Sequence, residues 1–149
     1  MKVHILSLRD ILDEYTPKTH TYVVSITGST QADQALQNMI EPTLKNPLYT
    51  VHRYTFDDIT PKWGKGLLLN QETARAIITD FATGHEHCQE LVVHCFRGKN
   101  RSPAVAMALV ELFGLDADVE ALKRTYDEAN LHVYNLLKEE GRKILEKKV

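Results

Sequence analysis

Residues 92–103 read VVHCFRGKNRSP and join a short apolar run to the start of an amphipathic segment. The run at residues 91–93 is wholly apolar, which is typical of a strand buried on both faces of a sheet. Ser102 and Pro103 can open a helix, because proline is tolerated in the first helical turn. The apolar spacing after them continues as far as Gly114. The sequence therefore predicts a strand, a loop and a helix in direct succession.

The loop of this junction has the composition of an anion site. Between Cys95 and Arg101 it contains five residues: Phe96, Arg97, Gly98, Lys99 and Asn100. A loop of this size can curl around one phosphate, with its backbone N–H groups pointing inward and the next helix adding the positive end of its dipole. Gly98 provides the backbone freedom for the curl. Arg101 can hold two phosphate oxygens at once, which a lysine cannot do.

Cys95 is the expected nucleophile, because the donors that bind a phosphate also stabilise a thiolate. We expect Ser102 to donate a hydrogen bond to the Cys95 sulfur and to help it leave from a covalent intermediate. His94 is expected to brace the loop through backbone hydrogen bonds rather than to transfer protons. An inert buried thiol is the alternative for Cys95, but the glycine, arginine and serine that follow it favour catalysis.

This segment resembles the signature of the cysteine-dependent protein-tyrosine and dual-specificity phosphatases, which is His-Cys, five residues, then Arg-Ser or Arg-Thr. The signature is matched by His94, Cys95, Gly98, Arg101 and Ser102. The order of elements from about residue 50 onward is similar to that of the compact, single-domain members. The resemblance implies a phosphatase that uses a phosphocysteine intermediate and no metal or cofactor. Its substrates would be phosphotyrosine proteins and also phosphoserine or phosphothreonine proteins.

Two other functions stay open at this point. One is a phosphoinositide or RNA 5′-phosphatase of the same fold, because cleft depth cannot be derived from the sequence and Arg97 and Lys99 add positive charge to the loop. Either side chain can equally be a solvated surface charge. The other alternative is a catalytically silent module that binds a phosphorylated partner without hydrolysing it.

The resemblance also implies a general acid, an aspartate on an upstream loop. Residues 57–66 contain one proline and two glycines and should form a loop. Within it we favour Asp58, because the run from Phe56 to Ile59 resembles the Phe-x-Asp-Ile turn of small relatives. Asp57 is the alternative general acid. Asp58 could also have no catalytic role and simply form the turn. A Trp-Pro-Asp tripeptide is missing, which argues against the large tyrosine-specific subgroup.

Outside the junction, the patterns predict strands at residues 3–6, 21–26 and 50–56 and helices at residues 29–40, 116–129 and 131–148. A further helix should begin after a cap at Asn70 and end before Gly84. Strands that alternate with helices indicate an α/β fold. We expect a central, mainly parallel sheet of four to five strands flanked by helices, similar to the dual-specificity phosphatases, with the ligand site at the carboxyl ends of the strands.

The composition is that of an ordinary globular protein. The 149 residues, 43% hydrophobic and 26% charged, fit a single domain over residues 1–149. No apolar stretch approaches the roughly 20 residues of a spanning helix, and no signal pattern opens the chain, so we expect a cytoplasmic protein without a membrane anchor. A net charge of −2 argues against a nucleic-acid partner. The expected partner is a phosphorylated protein or a small phosphorylated molecule.

Cys88 is the second cysteine, and it follows two histidines, His85 and His87. The three side chains do not form a complete metal site by spacing, so a polar loop without metal is expected. Cys88 could instead form a disulfide with an oxidised Cys95, but a separation of seven positions does not establish this.

Overall fold

A parallel sheet forms the centre of the molecule, for which the computed structural model describes residues 1–146. Within those residues the sheet has four strands: β1 (Lys2–Leu6), β2 (Thr21–Thr27), β3 (Tyr49–Thr55) and β4 (Glu90–His94). Their spatial order is β1, β4, β2, β3, and every neighbouring pair is parallel. The predicted α/β fold with a mainly parallel sheet is thereby confirmed.

Helices cover both faces of this sheet. They are α1 (Gln31–Leu44), α2 (Gln71–Gly84), α3 (Arg101–Phe113), α4 (Val119–Thr125) and α5 (Leu131–Glu146). One π-helical turn, Asp10–Glu14, follows β1, and one 3-10 turn, His85–His87, follows α2. The predicted extension of the last helix to Lys148 lies outside the described residues. Among the helices described, none combines the length and the apolar character needed to cross a bilayer.

The apolar run in β4 is explained by the two hydrophobic clusters, one on each face of the sheet. Leu91 and Val93 pack into the larger cluster, on the side of α2, α3 and α5. Val92 points the other way, into the smaller cluster beneath α1 and the π-helical turn. Full burial of one such side chain stabilises the fold by about 1.5–3 kcal/mol. A strand with both faces buried therefore has no polar alternation in its sequence.

The helix boundaries depend on local caps, and one predicted cap is wrong. Asn70 accepts a hydrogen bond from the Thr73 N–H at 2.8 Å and so begins α2 as predicted. Gly114 ends α3 in the left-handed conformation, with φ of 63°. Gly84 does not lie beyond α2 as predicted. It is the last helical residue, with φ of −112°, and the chain continues directly into the 3-10 turn.

Two predicted helices have different bounds in the structure. The helix predicted at residues 116–129 is only α4, because Asp118 caps it by accepting from the Glu120 and Ala121 N–H groups. Asp116 instead forms a bridge with Lys2 at the edge of the sheet. The helix predicted at residues 29–40 begins at Gln31 and continues to Leu44. Residues 126–130 are therefore a connection, and this connection reaches the site described below.

The carboxyl ends of three strands lie at one level. In the register of the sheet His94 is paired with Leu6 of β1 and with Ser25 of β2. The loops that leave β1, β2, β3 and β4 therefore meet at the same edge, which is the edge where parallel α/β sheets bind ligands.

Candidate active site

Cys95 follows β4 directly and is 2% exposed. Its sulfur accepts a hydrogen bond from the Gly98 N–H at 3.2 Å, and it lies 3.1 Å from the Ser102 hydroxyl oxygen. The 95–101 loop thus curls back over its own first side chain. Ser102 reaches the sulfur because it lies in the first turn of α3. The structure brings together the cysteine and the serine that the sequence selects.

Gly98 is required at its position in the loop. Its φ of +71° is in the left-handed region, and a Cβ built there would lie 2.8 Å from the Ser7 nitrogen and 3.0 Å from the Leu6 carbonyl carbon. Any other residue would be strained by its backbone angle and would also meet main chain that cannot move aside. The loop is therefore packed closely against the end of β1.

Residues 6–8 also hold the loop through main-chain hydrogen bonds. The Cys95 N–H donates to the Leu6 carbonyl at 3.4 Å, and the Leu8 N–H donates to the Phe96 carbonyl at 3.0 Å. The start of the loop is thus fixed by a segment almost ninety positions earlier in the chain. Phe96, Arg97 and Lys99 have exposed side chains, and Gly98 is half-buried.

Arg101 is the first residue of α3 and is 9% exposed. Its Nη1 donates to the Phe56 carbonyl at 2.9 Å, which ties the guanidinium to the end of β3. The helix start receives no side-chain cap, because the Asn100 amide donates instead to the Glu128 carbonyl at 2.8 Å. Uncapped N–H groups and the helix dipole favour an anion at this end of α3.

His94 is buried directly before Cys95, and its Nε2 lies 2.6 Å from the Ser25 hydroxyl. Burial, with the positive charge of Arg101 as a smaller cause, lowers the pKa of His94 to about 4. The ring is therefore neutral at physiological pH. It contacts the Ser25 side chain of the adjacent strand and also the Cys95 backbone, the second as the sequence led us to expect.

This burial predicts a pH-dependent stability. The unfolded chain protonates His94 near its usual pKa of about 6.5, whereas the folded chain protonates it near 4. Between these values the unfolded state binds more protons, so the free energy of unfolding should fall as the pH is lowered through this window. The total effect is about 3 kcal/mol. In urea unfolding between pH 7 and 5, His94→Gln should show a weaker decline than the parent.

The control for this experiment is the exposed His87. His87→Gln should keep the parent's decline, because His87 is exposed and its ring does not enter the core. If His94→Gln and the parent lose stability in parallel, the buried ring does not cause the decline.

Asp57 joins the two ends of the 57–66 loop, which are called its neck below. Its carboxylate accepts from the Leu67 N–H at 2.6 Å, from the Ser29 N–H at 2.9 Å and from the Ser29 hydroxyl, and its own N–H donates to the Leu67 carbonyl at 2.7 Å. Burial by itself raises the pKa of Asp57, but these hydrogen bonds and the charge of Arg101 outweigh it and lower the pKa. Asp57 is therefore held as a carboxylate.

Asp58 is exposed, unlike its neighbour. Its Oδ1 accepts a hydrogen bond from the Asn130 Nδ2 at 3.0 Å. Within residues 1–146 no hydrogen-bond donor contacts its Oδ2. Of the two candidate acids, Asp58 is the one that has an oxygen available to carry a proton.

Asn130 is a site residue that the sequence analysis missed. It is 6% exposed and lies at the end of the α4–α5 connection. Its Nδ2 contacts both Asp58 and the Ile59 carbonyl, and its backbone N–H donates to the Asn100 carbonyl at 3.0 Å. An asparagine before an apolar helix is a recognisable cap signal, but nothing in the spacing links it to residues 58 or 100.

Cys88 and Cys95 lie at opposite ends of β4. A strand rises about 3.3 Å per residue, so the two thiols are roughly 20 Å apart, far beyond the reach of a disulfide. His85 stacks on Phe81, with ring centroids 4.5 Å apart. Across residues 1–146 no group of three or more histidine, cysteine, aspartate or glutamate side chains could hold a metal ion.

A small pocket, with a cavity volume of about 20 Å³, opens beside Cys95. Its lining is mainly apolar and comes from both core clusters and from the 95–101 loop. The lining residues are Leu8, Ile26, Thr27, Gly28, Asp33, Leu36, His94, Cys95, Phe96 and Arg101. The carboxylate of Asp33 caps α1 by accepting from the Thr30 N–H and hydroxyl. The pocket therefore contains one acidic side chain and one basic side chain.

No protein-family model matches the sequence, and no curated protein matches it significantly. Solved structures do resemble it. PTPMT1 in complex with PI(5)P aligns with a TM-score of 0.55 and 16% identity over 99% of this chain and 95% of that one. Tk-PTP in the active form aligns with a TM-score of 0.51 and 17% identity over 92% and 90%. This chain therefore has the fold of the cysteine-based protein tyrosine phosphatases.

Proposed function

We propose that this protein is a phosphatase that hydrolyses phosphate monoesters, foremost those of phosphotyrosine, through a phosphocysteine on Cys95. One observation carries the proposal. The Cys95 sulfur is buried in a loop where the Gly98 N–H and the Ser102 hydroxyl contact it and where Arg101 closes the far end. Donors that converge on a sulfur stabilise it as a thiolate, and the same donors can hold phosphate oxygens.

In the first step the Cys95 thiolate attacks the phosphorus. An S–P bond forms and the ester P–O bond breaks, so that its electron pair goes to the leaving oxygen. That oxygen takes a proton from Asp58 and departs as a phenol or an alcohol. The loop N–H groups and the Arg101 guanidinium stabilise the equatorial oxygens, where charge accumulates in the transition state.

In the second step a water molecule attacks the phosphorus of the phosphocysteine. The P–S bond breaks, its electron pair returns to sulfur, and the Asp58 carboxylate accepts the proton of the water. The hydrogen bond from Ser102 lowers the energy of the departing thiolate. Inorganic phosphate leaves, and both side chains regain their starting forms. No metal or cofactor takes part in either step.

The surface beside Cys95 favours an aromatic leaving group, because the Phe96 ring is half-exposed there. The small apolar pocket on the same side contains Asp33, whose carboxylate would repel a second phosphate. Arg97 and Lys99 are exposed on the same loop, and their positive charges could bind an additional anionic group of a substrate. Phosphoinositides carry such a group and are therefore included in the test. Two unpaired cysteines at opposite ends of a strand agree with a reducing compartment, and we propose the cytoplasm as the place of action.

The function is tested by assaying the parent protein with an aryl phosphate in the presence of a chelator. We expect steady hydrolysis and, after rapid acid quenching, label from a radioactive substrate retained on a peptide that contains Cys95. Comparison of a phosphotyrosine peptide, a phosphoserine peptide and a short-chain phosphoinositide then ranks the substrate classes. Stoichiometric binding of phosphopeptide without any turnover would identify the silent binding module instead.

The general acid is tested by leaving-group dependence. Asp58→Asn should lower kcat on the order of 10²–10³-fold for an alkyl phosphate, whose alkoxide needs a proton to leave. The loss should be much smaller for an activated aryl phosphate. The decline of the rate toward high pH should also flatten, because the group that must be protonated is missing. Initial rates on both substrates from pH 5 to 9 measure this.

Asp57→Asn is the matched control. It removes charge from the neck of the 57–66 loop, so it should lower stability by about 1 kcal/mol and affect both substrates alike. A leaving-group-dependent defect in Asp57→Asn but not in Asp58→Asn would reverse the two roles.

A further inference from the structure

Asn130 connects two loops of the site through one buried side chain and its backbone. The Nδ2 group donates to the Asp58 Oδ1 and to the Ile59 carbonyl, each at 3.0 Å. The backbone N–H donates to the Asn100 carbonyl, in the 95–101 loop, at 3.0 Å. The 57–66 loop and the 95–101 loop therefore share a single anchor.

Helix capping accounts for the Oδ1 atom of Asn130 but not for its Nδ2 group. Its Oδ1 accepts from the Val133 N–H at 3.2 Å, as an N-cap side chain does at the start of α5. Serine or aspartate would cap the helix as well as asparagine does. The amide nitrogen is not needed for the cap, and both of its contacts go to the 57–66 loop.

The 57–66 loop needs such an anchor. Residues 61–67 are exposed, and Gly64 and Gly66 have φ values of 98° and 136°. Asp57 fixes the neck of the loop to Leu67 and Ser29, but those bonds do not orient the next side chain. Rotation of the Asp58 carboxyl is restrained by the Asn130 amide at Oδ1, which leaves Oδ2 to carry the proton.

We propose that Asn130 is a positioning residue that aims the Asp58 carboxyl at the leaving oxygen. The inference rests on the proposed function. Because the same residue holds Asn100, the direction of the acid is fixed relative to the loop that holds the phosphorus. Small displacements of a catalytic group can reduce a rate by about 10²-fold. Loss of the Asn130 amide should therefore slow the step in which the leaving oxygen is protonated, and it should not weaken phosphate binding.

The test compares Asn130→Ser with the parent. Serine keeps a cap acceptor for α5 and is too short to reach Asp58. We expect kcat for an alkyl phosphate to fall about tenfold to a hundredfold, kcat for an activated aryl phosphate to fall by about threefold or less, and inhibition by inorganic phosphate to be unchanged. Asn135→Ser, at an exposed position of the same helix, should behave as the parent on both substrates.

A double-mutant cycle separates positioning from general destabilisation. In the Asp58→Asn background, Asn130→Ser should cause no further loss on the alkyl phosphate, because the group that it orients no longer donates. Asn130→Thr, which also keeps a cap acceptor and is also too short to reach Asp58, should show the same selectivity if the serine variant unfolds.

The outcomes distinguish the inference from the function on which it rests. An active parent with equal losses of Asn130→Ser on both substrates, or additive losses in the cycle, overturns the positioning role and leaves the phosphatase intact. A parent that hydrolyses neither substrate overturns both.

Discussion

Cys95→Ser should lose hydrolysis of every phosphate monoester, by a factor on the order of 10⁴ or more in kcat. A serine hydroxyl is a far weaker nucleophile than a thiolate unless a general base activates it. The adjacent His94 is a poor base, because burial lowers its pKa to about 4. Oxygen is close to sulfur in size, so the fold should stay within about 1 kcal/mol of the parent.

The measurement is phosphate release by the variant under substrate saturation, together with binding of a phosphotyrosine peptide by calorimetry. Binding should persist, because the loop N–H groups and Arg101 are unchanged. Cys88→Ser provides the matched control and should retain kcat, since that thiol lies at the opposite end of β4. Residual activity of Cys95→Ser within tenfold of the parent would rule out the phosphocysteine.

Arg101→Lys should reduce kcat/KM on the order of 10²–10³-fold, although the charge is conserved. The guanidinium already gives one N–H to the Phe56 carbonyl, which fixes its plane. The remaining donors of a planar fork can then hold two phosphate oxygens together. A lysine has a single ammonium group and cannot keep the Phe56 contact while it bridges two oxygens.

Steady-state kinetics on an aryl phosphate measure this loss of kcat/KM. The inhibition constant of inorganic phosphate shows how much of the loss comes from weaker phosphate binding. Arg53→Lys is the control, because Arg53 forms a bidentate pair with Glu41 away from the site. That variant should lose only a fraction of a kcal/mol in stability and no activity. A near-normal Arg101→Lys would end the phosphatase assignment.

The local parts of the fold could be predicted from the sequence. The apolar run of β4 and the helix after Pro103 depend on neighbouring residues, and the cap at Asn70 needs only Thr73. The start of α4 could have been placed at the local cap of Asp118, whereas the bridge between Asp116 and Lys2, which is distant in the chain, could not be predicted. Amphipathic spacing alone extends a helix until a breaker, and this segment contains none.

The site divides in the same way. Gly98 and Ser102 both contact Cys95 within eight positions, so a motif contains all three. The choice between Asp57 and Asp58 depends on partners far away in the chain, Ser29 for the first and Asn130 for the second. Such contacts follow from the order of the strands and the path of the α4–α5 connection, which no spacing in a single sequence determines.

The edge strand β1 supports the loop that contains Cys95. Leu6 and Leu8 hold the start of the 95–101 loop, and Leu6 is paired in the sheet with His94. Edge strands detach more easily than central ones, in subglobal openings that hydrogen exchange detects. An opening that detaches β1 would remove this support from the loop. Under the proposed function, activity would therefore depend on the docking of one short strand as well as on global stability.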